Sequence, residues 1–504
     1  MKDSAEFILR DYSQTLFPLK LNRFMVENYS PQLLAFARQR AKTGGDPFQT
    51  QHPVYASKRG WFLRRTVKLD PVAEMFLYDL VYSYRERFSR RPIPNREVYG
   101  FRIAGGEPLS GVKAYGEFKT RIAGLRRAFY YQAYMDIASF FNHIYHHDLV
   151  EWFEELGASL DDVNSFGKFL REAAGGRTVD CLPQGIYPAK MIGSAFLSFV
   201  ERSNRVRSRH TVRLMDDIWL FDTDHNAIVS DFLLLQDLLG KRGLSINDKK
   251  SALFQGYDPD GELPADLDQM KMHLLQRRRA ALSKSNPYAD EVEEKGFDGD
   301  GQDAGMADQL GALKGDEHEY LRALLKGDTI QEEDAELVLT LMRDQSADVL
   351  ESLPSLMRDF PSLAKRIYSF CAGAPDKNEI TAAAIDFLAT ASRVTEYQLF
   401  WLGAMVDDYL IATPRAGELL LALYENEAAT AISRAKILEI ADMRYGLRDL
   451  RQGHLRSGSS DWMAWAAAVG SRNDPKGQRN QSLKYFRTAS AMNQLIGEFV
   501  ESCY

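Results

Sequence analysis

An Asp-Asp pair between two alternating apolar runs is the first feature of this chain that could carry chemistry. The segment RLMDDIWLF covers residues 213–221, with apolar residues at every second position on either side of Asp216 and Asp217. This alternation predicts two short strands with both carboxylates at the tight turn between them. Adjacent carboxylates repel each other, and such hard oxygen ligands suit Mg²⁺ or Mn²⁺. The segment therefore predicts a site for divalent cations.

A second Asp-Asp pair shows how little the dipeptide proves by itself. Asp407 and Asp408 in MVDDYLIA lie inside a long helical pattern, and no carboxylate motif precedes them. At ordinary composition about two or three such pairs arise by chance in a chain of this length. We interpret this second pair as part of a solvated helix face, so the first pair needs supporting motifs.

Three further segments accompany Asp216 and Asp217 in the chain. About 80 residues upstream, Asp136 ends an aromatic, strand-like run and is followed by two phenylalanines. A turn marked by Pro and Gly, residues 181–188, then leads into a helical pattern, and residues 243–251 read as a turn, a short strand and a pair of lysines. The pair is thus one element of an ordered set.

The order of these segments resembles the palm of reverse transcriptases, especially the bacterial retron and group II intron kinds. The resemblance covers about residues 55–255. The matching positions are Asp136-Ile137 with Phe140-Phe141, then Leu182-Pro183-Gln184-Gly185, then Leu214-Met215-Asp216-Asp217 in place of Y-x-D-D, then Gly243-Leu244 with Asn247 and Lys250, and, upstream in the fingers, Tyr99-Gly100-Phe101-Arg102.

The resemblance implies a role for each matching residue. Asp136, Asp216 and Asp217 are expected to be catalytic and, with Ile137, to hold two Mg²⁺ or Mn²⁺ ions. Among the nucleotide-binding candidates, Phe141 is expected to exclude the ribose 2′-hydroxyl. The side chains expected to contact the incoming dNTP are Arg64, Arg65, Lys68, Phe141, Gln184, Gly185 and Lys250.

Departures from the pattern point to one branch of these enzymes. Leu214 replaces the usual tyrosine, and no recognisable thumb follows residue 255. This combination, followed by a helical half, resembles the abortive-infection (Abi) polymerases of bacteria and prophages. That family implies anti-phage defence, oligomers, and template-independent DNA synthesis primed by a tyrosine of the protein itself. Tyr12 is the first candidate for that tyrosine and Tyr29 the second.

The fold class predicted from the whole chain is α+β. Residues 1–282 are expected to form an N-terminal segment plus a reverse-transcriptase fingers–palm domain, and residues 283–317, rich in Gly, Asp and Glu, a linker or mobile loop. Residues 318–504 show helical patterns throughout and predict an all-helical domain, either a HEAT-like stack or a bundle. Residues 1–284 carry a net charge of +7 and residues 285–504 a net charge of −14, which indicates a polyanionic partner for the front half.

Hydropathy and cysteine spacing indicate where the protein is expected to act, and the resemblance indicates its expected partners. No apolar stretch of about 20 residues exists to span a membrane, and the N-terminus lacks a signal-peptide pattern. Cys181, Cys371 and Cys503 show no metal-ligand spacing, which favours free thiols in the reducing cytoplasm of a bacterial host. The expected partners are dNTPs, a single-stranded DNA product that can stay covalently attached, and further copies of the chain.

Two other functions stay open at this stage. One is a conventional RNA-templated DNA polymerase of the retron or group II type. The other is a helical scaffold for oligomers and partners whose palm is vestigial. The missing thumb speaks against the first alternative, and the intact set of three aspartates speaks against the second.

Overall fold

The computed structural model describes residues 1–88, 92–180, 182–257, 274, 313–327, 330–343 and 345–503. Most of the segment predicted as a linker, residues 283–312, therefore lies outside the described residues. Among the helices in the described ranges, none combines the length and the apolar character needed to cross a bilayer.

In the described part of the N-terminal half, nine strands form three sheets. A fingers hairpin, a five-stranded palm sheet of order β3-β7-β8-β6-β9 and a small third hairpin can be distinguished. The strands are β1 His52–Lys58, β2 Phe62–Lys68, β3 Arg96–Tyr99, β4 Ile103–Ala104, β5 Glu107–Pro108, β6 Tyr131–Asp136, β7 His210–Leu214, β8 Asp217–Asp222 and β9 Ala252–Gln255.

The hairpin predicted around the first Asp-Asp pair is confirmed. Strands β7 and β8 are antiparallel, and Leu214 pairs with Asp217. The two loop residues are Met215 and Asp216, while Asp217 is the first residue of β8. The expectation that both carboxylates stand in the turn is therefore wrong for Asp217, because a two-residue hairpin loop leaves its outer neighbours in the ladder.

Among the residues described in this half, ten helices surround the strands. Their starts follow ordinary capping chemistry: Asp70 accepts hydrogen bonds from the N–H groups of Val72 and Ala73, and Pro71 occupies the first helical position of α3. The helices are α1 Ser4–Asp11, α2 Lys20–Ala41, α3 Pro71–Ser83, α4 Arg85–Phe88, α5 Gly111–Ala128, α6 His146–Glu155, α7 Leu160–Ala173, α8 Tyr187–Phe196, α9 Phe199–Arg202 and α10 His225–Gly240.

The palm sheet is covered differently on its two faces. On one face Met135 and Ile218 are fully buried in the main core, and helix α10 packs against β6 and β8. On the other face α5 packs through Phe118 over the residues of β7 and β8, among them Val212. This second face carries the side chains of Asp136 and Asp217, because paired residues of neighbouring strands point to the same side.

The C-terminal half is helical, as predicted. Each helix from α14 to α17 packs on the second helix after it, and so do α19, α20 and α21, which is the arrangement of stacked helix pairs. The helices are α11 Gly315–Lys326, α12 Glu332–Leu341, α13 Ser346–Leu350, α14 Leu353–Asp359, α15 Ala364–Gly373, α16 Lys377–Thr390, α17 Glu396–Met405, α18 Ala416–Glu425, α19 Ala431–Leu438, α20 Leu447–Leu455, α21 Trp462–Gly470, α22 Lys476–Phe486 and α23 Ala491–Ser502.

The second Asp-Asp pair lies in a π-helical segment, Val406–Leu410, that extends α17. The Asp407 side chain is only 5% exposed, and its carboxylate lies 2.8 Å from the Lys20 ammonium and 2.9 Å from that of Lys436. Asp408 pairs with Lys20 at 2.7 Å. The interpretation of this pair as a solvated helix face is wrong for Asp407, because the N-terminus of α2 and helix α19 cover it.

The helical half is not attached by a linker alone. One hydrophobic core runs from α1–α3 and the palm sheet into α17, α19, α21 and α23, while a second core lies within the helical stack. At the junction the Phe17 ring contacts Phe400 at 5.1 Å, and Glu439 accepts a hydrogen bond from the N–H of Leu21 at 2.9 Å. The domain boundaries near 282 and 318 stay predictions.

Candidate active site

Three carboxylates meet at one end of the palm sheet. Asp136, the last residue of β6, stands directly opposite Asp217, and such paired residues have Cβ atoms about 4.5–5.5 Å apart. Asp216 immediately precedes Asp217 in the hairpin loop. Asp136 is 6% exposed and Asp216 is 8% exposed. The structure thus brings together the three residues that the sequence motifs selected.

The hairpin loop has a strained backbone, and a buried arginine holds it in place. Met215 has a φ of +52°, a conformation that costs a non-glycine residue about 1–3 kcal/mol. The Arg213 guanidinium is fully buried and donates to the carbonyl oxygens of Met215 and Ser194, at 2.9 Å each. Its Nε pairs with the buried carboxylate of Glu201. Arg213 therefore ties the loop to helices α8 and α9.

The motif at residues 243–251 supplies the surroundings of Asp136. The Asn247 side chain donates to the Asp136 carboxylate at 3.0 Å, and the Asn247 N–H donates to the Asp136 carbonyl oxygen at 2.7 Å. The Lys250 ammonium lies 3.8 Å from the other Asp136 carboxylate oxygen, on a side chain that is 52% exposed. One short loop therefore both orients Asp136 and brings an accessible cation to it.

Tyr134 is a site residue that the motifs did not indicate. Its hydroxyl donates to the Asp217 carboxylate. Since side chains two positions apart in a strand share a face, Tyr134 lies on the same side of β6 as Asp136. The alternation of β6 could have indicated this position. Arg213, by contrast, was missed because a buried arginine on a strand has no signal in the apolar pattern.

The donor set suits a hard divalent cation that takes part of its ligands from substrate. Carboxylate oxygens are ligands that Mg²⁺ prefers, and it usually binds through one or two carboxylates plus phosphates and waters. Within the ranges that the structure describes, no three His, Cys, Asp or Glu side chains form a ready-made metal site, the three aspartates included, so phosphates and waters would have to complete the coordination. The backbone at Ile137 is fixed by a β-bridge to Ile246.

Phe141 lies beside the β7–β8 hairpin loop. It is 7% exposed, in a short 3₁₀ turn that follows β6. A Cβ atom added to Gly193 of α8 would lie 3.3 Å from the terminal carbon of Met215 and 3.5 Å from the Phe141 ring. The three residues are therefore close neighbours, and the glycine gives the ring and the loop the space they need.

The fingers candidates divide between the two faces of β2. The Thr66 hydroxyl donates to the Gln184 carbonyl oxygen at 2.8 Å, which fixes the fingers hairpin on the Gln184–Gly185 loop. By alternation Arg64 and Lys68 share the buried face of Thr66. Arg65 points to the opposite face, where it pairs with Asp180. Arg64 and Lys68 thus lie on the Gln184 side, and Arg65 does not.

The two tyrosine candidates lie in different places. The Tyr12 hydroxyl donates to the Pro18 carbonyl oxygen at 3.0 Å, and burial raises the pKa of Tyr12 well above its ordinary value. Nearby, Leu16 contacts Gly185, so this segment borders the Gln184–Gly185 loop. Tyr29 stands at a kink in α2 with its ring 6.0 Å from Phe499, and burial raises its pKa too.

Comparison with known families decides the class of this site. Residues 109–287 match the sequence model of the family described as reverse transcriptase (RNA-dependent DNA polymerase). The chain contains a reverse-transcriptase domain. The matched segment includes the three aspartates and the loop of Lys250, whereas the fingers residues Arg64 and Lys68 lie before it. This domain implies nucleotidyl transfer in general and does not distinguish templated from untemplated synthesis.

Two similar solved structures come from yeast telomerases. The first is telomerase from Candida albicans in complex with the TWJ fragment of telomeric RNA, with 11% identity, a TM-score of 0.32, and coverage of 79% of this chain and 68% of that chain. The second is apo telomerase from Candida tropicalis, with 9% identity, a TM-score of 0.34, and coverage of 75% and 69%. No curated protein matches the sequence.

Proposed function

We propose that this reverse-transcriptase domain is an active DNA polymerase that joins dNMPs through in-line attack on the α-phosphate of a dNTP. The observation that carries this proposal is the register of the palm sheet, which sets Asp136 opposite Asp217 and places Asp216 in the adjoining loop. A buried arginine holds that loop. A palm without a function would have no use for three carboxylates at one sheet end, where they repel each other.

The side chains around the carboxylates have complementary tasks in this reaction. Two Mg²⁺ or Mn²⁺ ions, held by the three aspartates and the Ile137 carbonyl, would activate the attacking hydroxyl and stabilise the leaving pyrophosphate. Asn247 keeps Asp136 oriented. Lys250, the accessible cation of the site, donates a proton to the leaving pyrophosphate.

Nucleotide selection uses the residues next to the hairpin loop. Phe141 fills the space that a ribose 2′-hydroxyl would need, so deoxynucleotides are preferred. Gln184 and Gly185 shape the pocket, with Arg64 and Lys68 facing that side from the fingers and able to bind phosphate oxygens. Arg65, held by Asp180, is assigned a structural role in place of triphosphate binding.

We further propose that synthesis is template-independent, primed by the protein, and used in anti-phage defence in the bacterial cytoplasm. The support is the resemblance to the Abi polymerases together with the acidic helical half. Its carboxylates contact the fingers hairpin: Glu336 pairs with Arg59 at 2.7 Å, and Glu396 accepts from the N–H of Tyr55 at 3.2 Å. The net charge of −14 over residues 285–504 would also repel a bound duplex.

Tyr12 is the proposed primer. Its segment borders the nucleotide pocket, which supports the assignment. Its hydroxyl must leave the Pro18 carbonyl and lose a proton that burial retains, so initiation requires residues 12–18 to move. Initiation is then expected to be slower than elongation, in which the attacking group is the 3′-hydroxyl of the growing strand.

The test is incubation of the purified protein with labelled dNTPs and Mg²⁺ or Mn²⁺, without template or primer. Products are separated on a denaturing gel before and after protease treatment, and the attachment site is found by peptide mass spectrometry. Label that migrates with the protein until digestion, on Tyr12 or Tyr29, is the expected result. Tyr12→Phe should abolish initiation but still extend a supplied DNA primer.

Two results would contradict parts of this proposal. If synthesis occurred only after a primed RNA template was added, the chain would be an RNA-templated polymerase. The name of the matched family favours this alternative. Absence of synthesis under every condition, with folded protein, would favour the scaffold with a vestigial palm.

A further inference from the structure

A loop with four outward-facing arginines lies at the end of the palm sheet that is remote from the carboxylates. It connects α9 to β7 in the sequence RSNRVRSRH, residues 202–210, and Arg202, Arg205, Arg207 and Arg209 are exposed. Between the last three, Val206 and Ser208 are buried. We call residues 202–209 the arginine loop. Exposed arginines and buried residues therefore alternate along residues 205–209.

Buried groups hold the backbone of this loop in place. Asp231, which is 1% exposed, accepts hydrogen bonds from the N–H groups of Arg207 and Ser208, at 2.8 Å and 2.5 Å. The Arg96 guanidinium donates to the Ser208 carbonyl oxygen at 2.7 Å and to that of Val206 at 2.9 Å. The loop backbone is therefore ordered before a ligand arrives, which lowers the entropy cost of binding.

Among the residues that the structure describes, one nearby carboxylate pairs with the loop, at Arg209, and the others are engaged elsewhere. Asp222, 4% exposed, accepts from the Arg209 N–H at 2.8 Å, and its other oxygen lies 3.7 Å from the Arg209 guanidinium. Asp231 is used by backbone groups. Asp224 caps α10 through the Asn226 N–H, and Glu97 pairs with Arg121. The exposed surface of the loop therefore remains positive.

Two exposed aromatic side chains lie at the same end of the sheet as the arginine loop. At the remote end the Tyr130 and Tyr257 rings are 5.3 Å apart, with 39% and 61% of the residues exposed. Aromatic rings beside a basic surface are typical of single-strand binding, since every base can stack on a ring.

The distances suit a strand that leaves the active site. Strand β8 runs from Asp217 to Asp222, five residue steps or roughly 17 Å, and Arg209 borders its far end. A product strand that runs the length of β8 would reach the end of the sheet that carries the arginine loop within a few nucleotides. Arginine suits phosphate because its planar fork offers paired hydrogen bonds.

We propose that the arginine loop, together with Tyr130 and Tyr257 at the same end of the sheet, forms a binding surface for single-stranded nucleic acid. In the proposed reaction this surface holds the emerging DNA product, which rests on the proposed function. The binding itself requires neither metal nor dNTP, so it can be tested separately from catalysis.

The experiment measures binding of a fluorescent oligothymidylate to the full-length protein by anisotropy, in EDTA and without dNTPs. The variant R205Q/R207Q/R209Q is compared with the wild type and with R393Q/R456Q/K476Q, which removes three exposed positive charges from the helical half. Thermal unfolding and circular dichroism verify that all three proteins fold. Each binding curve is repeated between about 50 and about 200 mM salt, where released counterions reveal phosphate contacts.

The arginine-loop variant should bind about ten- to a hundredfold more weakly at the lower salt concentration, and the slope of log K against log salt should fall by about 2, at about 0.7 for each lost contact. The control variant should bind like the wild type. Equal affinity and slope in the two variants would overturn the proposal, and so would tighter binding of duplex than of single strands.

Two further measurements separate this proposal from its competitors. Asp216→Asn should be inactive and should still bind the oligonucleotide normally. A wild-type protein that binds the oligonucleotide but incorporates no dNMP would refute the proposed function and leave the binding surface intact. Light scattering tests whether the loop instead binds the acidic helical half of a second copy. Loss of self-association in the arginine-loop variant with unchanged oligonucleotide binding would refute the nucleic-acid surface.

Discussion

The two Asp-Asp pairs of this chain look alike in sequence and differ in almost every structural respect. Asp216 and Asp217 stand at a hairpin loop with a third carboxylate, Asp136, directly opposite. Asp407 and Asp408 lie on a π-helical segment between Lys20 and Lys436. The first pair gathers negative charge at one place, and the second has its charge balanced by protein ammonium groups.

The ion pairs at the second Asp-Asp pair affect the pKa of Asp407. Burial alone would raise the pKa of Asp407, but the ammonium groups of Lys436 and Lys20 lower it below its ordinary value. Lys436 also contacts Glu439 at 2.8 Å, and that residue binds the N-terminus of α2. An Asp-Asp pair therefore suits cations from solution only where the fold provides further carboxylates in place of lysines.

The largest effect is expected from a substitution at the first Asp-Asp pair, and the matched substitution at the second pair is its control. Asp216→Asn should lower dNMP incorporation at least about a thousandfold, because lost cation binding removes several kcal/mol of transition-state stabilisation. Asp408→Asn is the matched change at the second pair and should keep activity within a few-fold. Initial rates with Mg²⁺ and Mn²⁺ check this. Equal losses in both variants would show that the two pairs are not functionally different.

The second prediction concerns the support of the first pair. Arg213→Met leaves Glu201 buried without its partner and should reduce the free energy of unfolding by about 3–5 kcal/mol. The double variant E201M/R213M should recover most of this loss, because two apolar side chains can replace a buried ion pair. Its polymerase activity should stay low, since the Met215 carbonyl still lacks its donor. Urea unfolding and initial rates of both variants separate stability from loop positioning.

A third, smaller effect tests the surroundings of the first pair. Phe141→Ala should lower the selectivity for dNTPs over rNTPs about ten- to a hundredfold, because an opened pocket of this size changes discrimination by about 1–3 kcal/mol. Phe141→Tyr keeps the bulk and should keep the selectivity. The ratio of kcat/KM for the two nucleotides is the measurement. Unchanged selectivity in the alanine variant would remove Phe141 from this role.

The smallest expected effect is a pH dependence at the second pair. Since the pKa of Asp407 is lowered in the folded protein, its ion pairs contribute stability that is present above about pH 4 and lost as the pH falls through the folded pKa. The stability difference between the wild type and Asp407→Asn should therefore shrink below about pH 4. Asp386→Asn, at an exposed position of α16, should show no such trend in urea unfolding. A constant difference for Asp407→Asn would argue against charged pairs there.

Much of the catalytic half could be predicted from local pattern. The alternation around residues 213–221 indicated the β7–β8 hairpin, and the aromatic run before Asp136 indicated β6, because a strand with differently covered faces shows its period in the sequence. The helical half followed from its apolar spacing in the same way. These are properties of single elements.

The parts that could not be predicted depend on contacts between distant segments. The pairing of Arg213 with Glu201 and the hydrogen bond from Tyr134 to Asp217 require the sheet and its helices to be assembled. The burial of Asp407 depends on Lys20, nearly 400 residues away in the chain. The spacing of residues within one helix or strand gives no information about a contact with a distant segment.

The sequence by itself determined the order of the palm motifs, the two carboxylate positions at the hairpin, and the change from a basic to an acidic half. Only the tertiary structure decided which Asp-Asp pair is balanced by lysines, which fingers arginine turns away from the pocket, and that an arginine loop lies at the far end of the sheet. The physical reason is that element type follows from short-range spacing, whereas the charge around a side chain is set by whichever distant segments the fold packs beside it.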